Sequence, residues 1–430
     1  MSIFMLSMVI IILLFGLLLT SMPIALAMVL TGVGGLLVAG EGAMIGALGN
    51  MLYTGGNSFV LVAVPLFILM GEFVLQSGIG AKLYEAASRW LSRVPGGLSV
   101  ASIIAGGIFG AMCGASAPGT ATIGVIAMPE MLKRGYSRGI TAGSMAATGG
   151  LAMLIPPSIL FIVYGDLAEI SVGALFMAGV VPGIMLIVLY SIYAIVASKY
   201  FGQGGATFDS SWADRFKSLI AVWPIIILIG AVMGTIYAGI ATPTESAAIG
   251  ALGAMIIGIV TKTLSWQGFK KAVRSAVTIS GMIFIIIVCA KFFGYVITAL
   301  RITHSVSEYV TSLPITGYGA VAIIMLILVV LGCFIDGISM TLVTTPIFLP
   351  IIMAYGFDPI WYGVMLVLNI EIAVLTPPVG LNLYVVKAIA PDYSLAEIVY
   401  GSIPFILLEI AALLIVVISP QIAIWLPGRM

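Results

Sequence analysis

The sequence predicts an all-α polytopic membrane protein built from two related halves. Three observations support this prediction: the composition, a spacing of prolines that occurs twice, and the placement of basic residues. Of the 430 residues, 62% are hydrophobic and 8% are charged, and the mean hydropathy is +1.26, far from soluble usage. The polar-apolar alternation of a β-barrel is missing, so we expect helical spans whose backbone amides are satisfied internally. At roughly 20 residues a span, about ten to twelve crossings fit.

The proline spacing indicates a duplication. In the first half, Pro129 precedes a proline pair at 156–157, and in the second half Pro350 precedes a pair at 377–378 at the same interval. The alignment that superimposes these prolines also pairs Thr120 with Thr341. Apolar helices that are broken at equivalent places in two halves are typical of the binding site of a transporter.

The basic residues predict that two helical hairpins enter the membrane from opposite sides. Segments 98–113 and 120–132 are each too short for a full crossing. Lys and Arg residues precede the first segment and follow the second. Short loops rich in Lys and Arg stay cytoplasmic, so we expect a re-entrant hairpin with its tip at 114–120. The related segment at 314–355 breaks at FIDGISMT and lacks Lys and Arg at its ends, which predicts entry from outside, as in an inverted-topology repeat.

The remaining elements follow from the same patterns. Segment 2–21 lacks the basic start and the A-x-A site of a cleaved signal, so a retained helix is expected. The charged amphipathic stretch 82–93 is expected to lie along the membrane interface. The predicted organisation is a first repeat at 1–201 with hairpin 1 at about 97–132 and a broken helix at about 139–165, a polar linker at 202–217, and a second repeat at 218–430 with hairpin 2 at about 314–355 and a broken helix at about 359–390.

Five motifs distributed along the chain carry a family resemblance. They are VPLFILMGE at 64–72, PEMLKRGY at 129–136, IPPSI at 155–159, ATPTES at 241–246 and LTPPVGLNL at 375–383. Together they resemble the large membrane (DctM-like, M) subunit of tripartite ATP-independent periplasmic (TRAP) transporters for organic anions. Each motif alone is weak, but their combination over nearly the whole chain is specific.

The resemblance implies a sodium-coupled secondary transporter of the elevator type, in which a transport domain moves against a scaffold. It implies import of an organic acid anion, of the sialic acid or C4-dicarboxylate class, across the bacterial inner membrane. Two partners are implied: a small membrane subunit of the same transporter and a periplasmic substrate-binding protein. Na⁺ would be the co-transported ion. No catalytic residue, organic cofactor or nucleic-acid partner is expected.

The resemblance also indicates where sodium and substrate would bind, at the hairpin tips and helix breaks. Broken helices free backbone carbonyls, and Ser and Thr add hydroxyl oxygens, which suit sodium. The expected sodium ligands are Gly114, Ser116, Thr120, Asp336, Ser339, Thr341, Thr376 and Gly380. Helix N-termini, with unpaired amides and a positive dipole end, suit an anionic substrate. The expected substrate contacts are Ala115, Ser116, Pro156, Pro157, Ser158, Thr376, Pro377, Pro378 and Asn382.

Asp336 has two interpretations. A carboxylate in an apolar run costs several kcal/mol unless it has a partner, which favours a sodium site. Asp before Gly-Ile-Ser at a helix break is also a good N-cap for the following helix. We expect the sodium role, with the cap as the alternative.

Other polar residues are given structural interpretations. Asn369 and Glu371 either face the ion pathway or join neighbouring helices by hydrogen bonds, and joining is favoured. Glu72 and Glu245 are interpreted as capping or inter-helix bonding residues. Asp166 is expected in a solvated loop.

Enzyme, channel and scaffold interpretations fit the sequence less well. The sequence GASA at Ser116 is similar to an intramembrane serine protease motif, but the one histidine, His304, is expected in an outer loop, away from any nucleophile. The YGD sequence at 164–166 lacks the second carboxylate run of an aspartyl protease. An ion channel shares re-entrant hairpins but usually builds its pore from symmetric rings. In a membrane scaffold, the prolines would only kink helices.

Overall fold

The computed structural model describes residues 3–20 and 22–429, and the regular structure of this part of the chain is helical. The prediction of an all-α membrane protein is confirmed there. The helices of the first half are α1 (Ile3–Leu19), α2 (Ile24–Ala39), α3 (Leu48–Gly56), α4 (Ala63–Gln76), α5 (Ile79–Trp90), α6 (Gly97–Cys113), α7 (Ser116–Lys133), α8 (Arg138–Leu154), α9 (Ile159–Ala168) and α10 (Val172–Tyr200).

The second half follows a non-helical connection at 201–211. Its first helix begins inside the predicted linker. The helices are α11 (Trp212–Ala221), α12 (Trp223–Tyr237), α13 (Pro243–Val260), α14 (Trp266–Ala299), α15 (Ile302–Ser312), α16 (Gly317–Gly332), α17 (Gly337–Ala354), α18 (Pro359–Leu375), α19 (Leu381–Ile389), α20 (Leu395–Ile418) and α21 (Gln421–Ile424). Short 3₁₀ helices cover Gly42–Ala47, Val60–Val62 and Pro427–Arg429.

Several of these helices have the length and composition of membrane spans. Among the described residues, six helical units are long and apolar enough to cross, or up to eight if each strongly bent pair is one crossing. The longest unit that includes a break is Arg138–Ala168. The sequence predicted about ten to twelve crossings. Part of the apolar sequence counted in that prediction forms shorter helices, because breaks and caps interrupt it. These shorter apolar helices are Met5–Leu18, Ile24–Ala39, Gly97–Cys113, Gly317–Gly332 and Pro359–Leu375.

The two halves place equivalent helices in equivalent contacts. α6 and α7 form a pair joined at 114–115, and α16 and α17 form a pair joined at 333–336. Residues 155–158, with one proline pair, separate α8 from α9, and residues 376–380, with the other pair, separate α18 from α19. Contacts also cross between the halves, since α7 packs against α19 and α17 packs against α9. The four breaks are thereby brought close to one another.

Both ends of the α6–α7 pair lie together. The backbone amide of Leu98, at the start of α6, donates a hydrogen bond to the Tyr136 hydroxyl, just beyond α7, at 3.1 Å. The connection after α10 contacts the same region: Ala206 N donates to Arg134 O at 2.9 Å, and Asp209 pairs with Arg93 at 3.0 Å. The two arms of the pair therefore start and finish on one side of the molecule.

Helix α8 lies at the centre of this arrangement and packs against α6, α7, α18 and α20. In the apolar unit Arg138–Ala168, which α8 and α9 form together, 94% of an 18-residue stretch is buried inside the molecule. Small residues permit this density: a Cβ added to Gly143 would lie 1.9 Å from the Gly401 carbonyl oxygen of α20, so neither helix can carry a larger side chain at the crossing. In a second group of helices, the 34-residue α14 packs against α2, α3 and α4.

Candidate functional site

One cavity lies where the four helix breaks meet. Its volume is about 300 Å³, and its wall includes residues from the N-terminal ends of α7, α9, α17 and α19. The C-terminal ends of α6, α8 and α18 contribute Cys113, Met153 and Val374. Because the first amides of a helix lack intrahelical partners, four N-termini direct positive partial charge toward this region.

The tip of the α6–α7 pair forms one side of the cavity. Gly114 ends α6 in the left-handed conformation, with φ of 61°, and Ala115 is extended before α7 begins at Ser116. A Cβ on Gly114 would lie 2.9 Å from Ile159 Cγ1 at the start of α9. The left-handed turn and the close approach to α9 both favour glycine here.

The opposite side of the cavity comes from α4 and α14, outside the paired and broken helices. The contributing residues are Ile68, Gly71, Glu72, Leu75, Ile279, Met282 and Ile283. Glu72 accepts a hydrogen bond from the Ser275 hydroxyl at 2.6 Å, which joins α4 to α14. The sequence interpretation of Glu72 as an inter-helix bonding residue agrees with this bond, but it missed the position of Glu72 at the cavity. Only its place in the VPLFILMGE motif marked it.

A polar cluster next to the tip joins α7, α8 and α19. The Ser116 hydroxyl donates a hydrogen bond to Asn382 Oδ1 at 2.6 Å, and Asn382 Nδ2 donates to the Ala146 carbonyl at 3.0 Å. A Cβ on Gly149 would lie 1.9 Å from Thr120 Oγ1 and 2.9 Å from the Ser116 carbonyl oxygen. Thr120 Oγ1 is buried and has no hydrogen-bond partner in the described part of the chain. Native proteins seldom leave a buried hydroxyl unpaired, and this hydroxyl and the Ser116 carbonyl both border the Gly149 position.

Asp336 acts as the N-cap of α17, the alternative interpretation from the sequence. Its Oδ1 accepts from the amides of Ile338 and Ser339, each at 3.1 Å, and its Oδ2 accepts from the Ser339 hydroxyl at 2.5 Å. The residue is exposed and belongs to the cavity wall. The cap orients the carboxylate toward the start of α17, and its two oxygens keep unused acceptor capacity.

The predicted site residues divide into two groups. Gly114, Ala115, Ser116 and Asp336 belong to the cavity wall. The predicted residues outside the wall are Thr120, Pro156, Pro157, Ser158, Ser339, Thr341, Thr376, Pro377, Pro378, Gly380 and Asn382. Hydroxyls at the breaks mostly bond nearby carbonyls: Ser158 donates to Met153 O, Thr341 to Gly337 O at 2.8 Å, and Thr376 to Ile372 O at 2.6 Å.

The two proline breaks differ in their surroundings. Both proline pairs contain a cis peptide bond. The pair at 156–157 is buried in the core, whereas residues 377–379 are exposed. The halves are thus related in plan and unequal in environment, which the sequence alignment of the two segments could not reveal.

The arrangement lacks features of the enzyme alternatives. Ser116 bonds Asn382, while His304 lies on α15 and pairs with Glu308 at 3.3 Å. In the described part of the chain no group of three or more His, Cys, Asp or Glu side chains could hold a metal. The Ser116 hydroxyl therefore has an amide oxygen, and no base, as its partner.

Paired helices, broken helices and a cavity between them define a polytopic membrane protein of the transporter class. Residues 11–422 match the model of the family "Tripartite ATP-independent periplasmic transporter, DctM component". The chain belongs to this family. The resemblance drawn from the five motifs is confirmed, and the protein is a multi-pass protein of the bacterial inner membrane.

Two relatives and one solved structure illustrate the similarity. The C4-dicarboxylate TRAP transporter large permease protein DctM of Pseudomonas aeruginosa is 32% identical over 88% of both chains. The isethionate TRAP transporter permease protein DctMQ of Oleidesulfovibrio alaskensis is 32% identical over 96% of this chain, which spans only 65% of that longer protein. The crystal structure of the Alcanivorax borkumensis YdaH transporter has a TM-score of 0.64 at 12% identity, covering 89% of each chain, and shares the fold.

Proposed function

We propose that the protein is the large subunit of a sodium-coupled secondary transporter that imports a small organic acid anion across the inner membrane. The single observation that carries the proposal is the cavity bounded by four helix N-termini. Such termini bind carboxylates through backbone amides and the helix dipole, without a cation in the membrane.

The charges of the cavity wall support coupling to a cation. Among the described residues of the wall, the charged side chains are the two carboxylates Glu72 and Asp336, and no Lys, Arg or His contributes. An organic anion entering beside two carboxylates meets repulsion that is strong in a medium of low dielectric. A co-bound sodium ion offsets this repulsion, so binding of anion and cation would be mutually dependent.

Two places are suited to sodium. One is the cluster of Thr120, Ser116 and Asn382, where a buried hydroxyl oxygen is unpaired. The other is Asp336 at the start of α17, with its exposed carboxylate in the cavity wall. Both sites lie on the paired and broken helices, so sodium would move together with the substrate.

The elevator mechanism is supported by the division of the cavity wall. The paired and broken helices supply one side, and α4 and α14 supply the other, so the cavity lies at a boundary between two groups of helices. We propose that the first group, α6–α9 with α16–α19, is the transport domain and that it moves against a scaffold that includes α4 and α14. The joined ends of α6 and α7 support a re-entrant hairpin.

The cavity volume favours small cargo. About 300 Å³ is at the lower limit of ligand sites in proteins, so we propose a C4-dicarboxylate as the first candidate, with sialic acid as the larger alternative. The printed name of the Pseudomonas aeruginosa relative supports the same class. As family membership implies, a small membrane subunit and a periplasmic binding protein would complete the transporter.

Uptake into proteoliposomes tests the proposal. The purified chain would be reconstituted with the small subunit and the binding protein and supplied with C4-dicarboxylates, sialic acid and an uncharged analogue of each. The expected result is accumulation of one acid against its gradient, driven by an inward sodium gradient and lost when potassium replaces sodium. Passive equilibration without accumulation would indicate a channel, and uptake by the chain without either partner would contradict the partner requirement.

A further inference from the structure

Two carboxylates lie inside the helix bundle, away from the cavity. Glu371 on α18 and Glu409 on α20 are both 0% exposed. They meet at α8: a Cβ added to Gly150 would lie 3.4 Å from Glu409 Oε1 and 3.5 Å from Glu371 Cβ and Cγ. Both glutamate side chains therefore border the space that the missing side chain of Gly150 leaves.

The hydrogen bonds of this pair are incomplete. The Tyr190 hydroxyl of α10 donates to Glu409 Oε1. Glu409 Oε2 and both carboxylate oxygens of Glu371 are buried without a hydrogen-bond partner in the part of the chain that the structure describes. The neighbouring Asn369 differs, because its amide nitrogen donates to the Met325 carbonyl of α16 at 2.9 Å. Asn369 therefore joins two helices, as the sequence suggested, and Glu371 does not.

No cation on the surrounding helices faces the pair within the described ranges. On α8, Arg138 pairs with Glu397 at 2.9 Å, and on α19, Lys387 donates to the carbonyls of Pro391 and Tyr393. Lys199, near the end of α10, lies over the Tyr200 ring.

The other ionisable groups on these helices also have partners elsewhere. On α9, the Tyr164 hydroxyl donates to the Pro359 carbonyl, and Asp166 pairs with Lys291. On α16 and α18, the Tyr318 ring packs on Phe357 and the Tyr362 ring on Tyr164. Tyr190 is the ionisable group that contacts the pair.

This environment cannot hold two ionised carboxylates at low cost. Each buried charge without a partner costs several kcal/mol, and two like charges at short range add mutual repulsion. One proton on Glu371 changes this balance, because it removes one buried charge and with it the repulsion between the two groups. In other proteins, one of two neighbouring carboxyl groups likewise keeps its proton because both cannot ionise together.

We propose that Glu371 and Glu409 form a proton-binding site that holds one proton at neutral pH, and that transport requires this site to be occupied. The second part rests on the proposed function. Its physical basis is α8: Gly149 contacts Thr120 and Asn382 of the candidate sodium cluster, and the next residue, Gly150, contacts the carboxyl pair. Loss of the proton would place two like charges against the helix that supports the sodium cluster.

Infrared spectroscopy tests the proton site on the purified full-length chain, without transport. The wild-type protein is expected to show the carbonyl-stretch band of a protonated carboxylic acid at neutral pH, and this band is expected to disappear at strongly alkaline pH. The isosteric variant E371Q should lack the band, whereas E308Q, which makes the same change on an exposed glutamate, should keep it. A wild-type spectrum without the band at neutral pH overturns the proposal, whether or not any variant folds. Loss of the band on addition of sodium would also contradict it, since the site would then bind a metal ion.

The pH dependence of uptake in the reconstituted transporter tests the second part. Wild-type uptake is expected to fall at alkaline pH, about tenfold per pH unit once the site empties, because one proton is lost. E371Q should lose this alkaline decline, since the glutamine amide is neutral at every pH, and E371D should retain a decline. Profiles of E371Q and wild type that superimpose would contradict the requirement. Failure to detect sodium-driven uptake at any pH would instead reject the proposed function and leave the infrared result intact.

Discussion

Thr120 has a buried hydroxyl whose oxygen lacks a hydrogen-bond partner in the described part of the chain. Native proteins seldom leave such an atom unpaired, so its isolation points to a ligand. The sequence predicted Thr120 as a sodium ligand from the resemblance, and that assignment stays a prediction. The nearby hydrogen bond between Ser116 and Asn382 could not be predicted, because these residues come from different halves and meet only through the packing of α7 against α19.

Replacement of Thr120 by valine tests the sodium cluster at the level of one oxygen atom. Valine keeps the shape and removes the hydroxyl, so we expect the sodium concentration for half-maximal uptake to rise about tenfold, equivalent to about 1.4 kcal/mol. T311V, which changes an exposed threonine on α15, is the matched control and should have wild-type sodium dependence. An unchanged sodium dependence in T120V would remove this residue from the site.

Gly149 supports a second prediction at the residue scale. A Cβ there would lie 1.9 Å from Thr120 Oγ1, so G149A should destabilise the protein by about 1–3 kcal/mol through overpacking. It should also reduce sodium-dependent uptake. Thermal unfolding in detergent measures the first effect. G234A on α12 is the control, since a Cβ there has no neighbour within 4 Å. Equal stability of G149A and G234A would show that the cluster can expand.

At the scale of elements, the helix ends lie at positions with local causes. Proline pairs occupy the breaks between α8 and α9 and between α18 and α19, and Gly114 ends α6. Proline removes an amide donor and glycine adopts the left-handed turn, so both effects can be read from the chain. The environment of each break could not be read in this way, because burial of 156–157 and exposure of 377–379 depend on which helices cover them.

Asp166, at the end of α9, was expected in a solvated loop and is instead almost buried. It forms an ion pair with Lys291 of α14 at 2.7 Å and accepts from the Ser58 hydroxyl at 2.5 Å. This contact joins a broken helix to the long helix of the other group. Local sequence could not indicate it, since Lys291 is distant along the chain.

The ion pair supports a prediction about the interface between the two groups of helices. In a double-mutant cycle of D166N and K291M, we expect a coupling free energy of about 1–3 kcal/mol, because the pair is a largely buried, charge-assisted hydrogen bond. Chemical unfolding in detergent measures it. E308Q, which breaks the exposed His304–Glu308 pair, should change stability much less. A coupling energy near zero would mean that this interface does not depend on the ion pair.

At the scale of the whole molecule, the cavity combines two groups of helices that are separate in the sequence pattern. Hydropathy and proline spacing identified the broken helices, which form one side of the cavity. The other side, from α4 and α14, has ordinary apolar periodicity. An apolar helix that faces a cavity and one that faces lipid have similar composition, so α4 and α14 could not be placed there from sequence.

Sodium binding should stabilise the whole fold if the proposed sites exist. A ligand that binds only the folded state adds RT ln(1 + [L]/Kd), or about 2.7 kcal/mol at a hundredfold excess over Kd. The unfolding temperature of the purified chain is therefore expected to rise in sodium chloride relative to potassium chloride at equal ionic strength. T120V should show a smaller rise. Identical unfolding temperatures of the wild-type chain in the two salts would contradict a preformed sodium site.

The sequence by itself determined the membrane class, the helical architecture, the positions where helices break, and the family. These properties follow from composition, from backbone restrictions at Pro and Gly, and from short motifs, all of which act locally. The tertiary structure decided which breaks meet, that Glu72 borders the cavity, and that Glu371 and Glu409 lie near each other inside the bundle. Those contacts join residues far apart in the chain, and they exist only because helices pack at particular crossings.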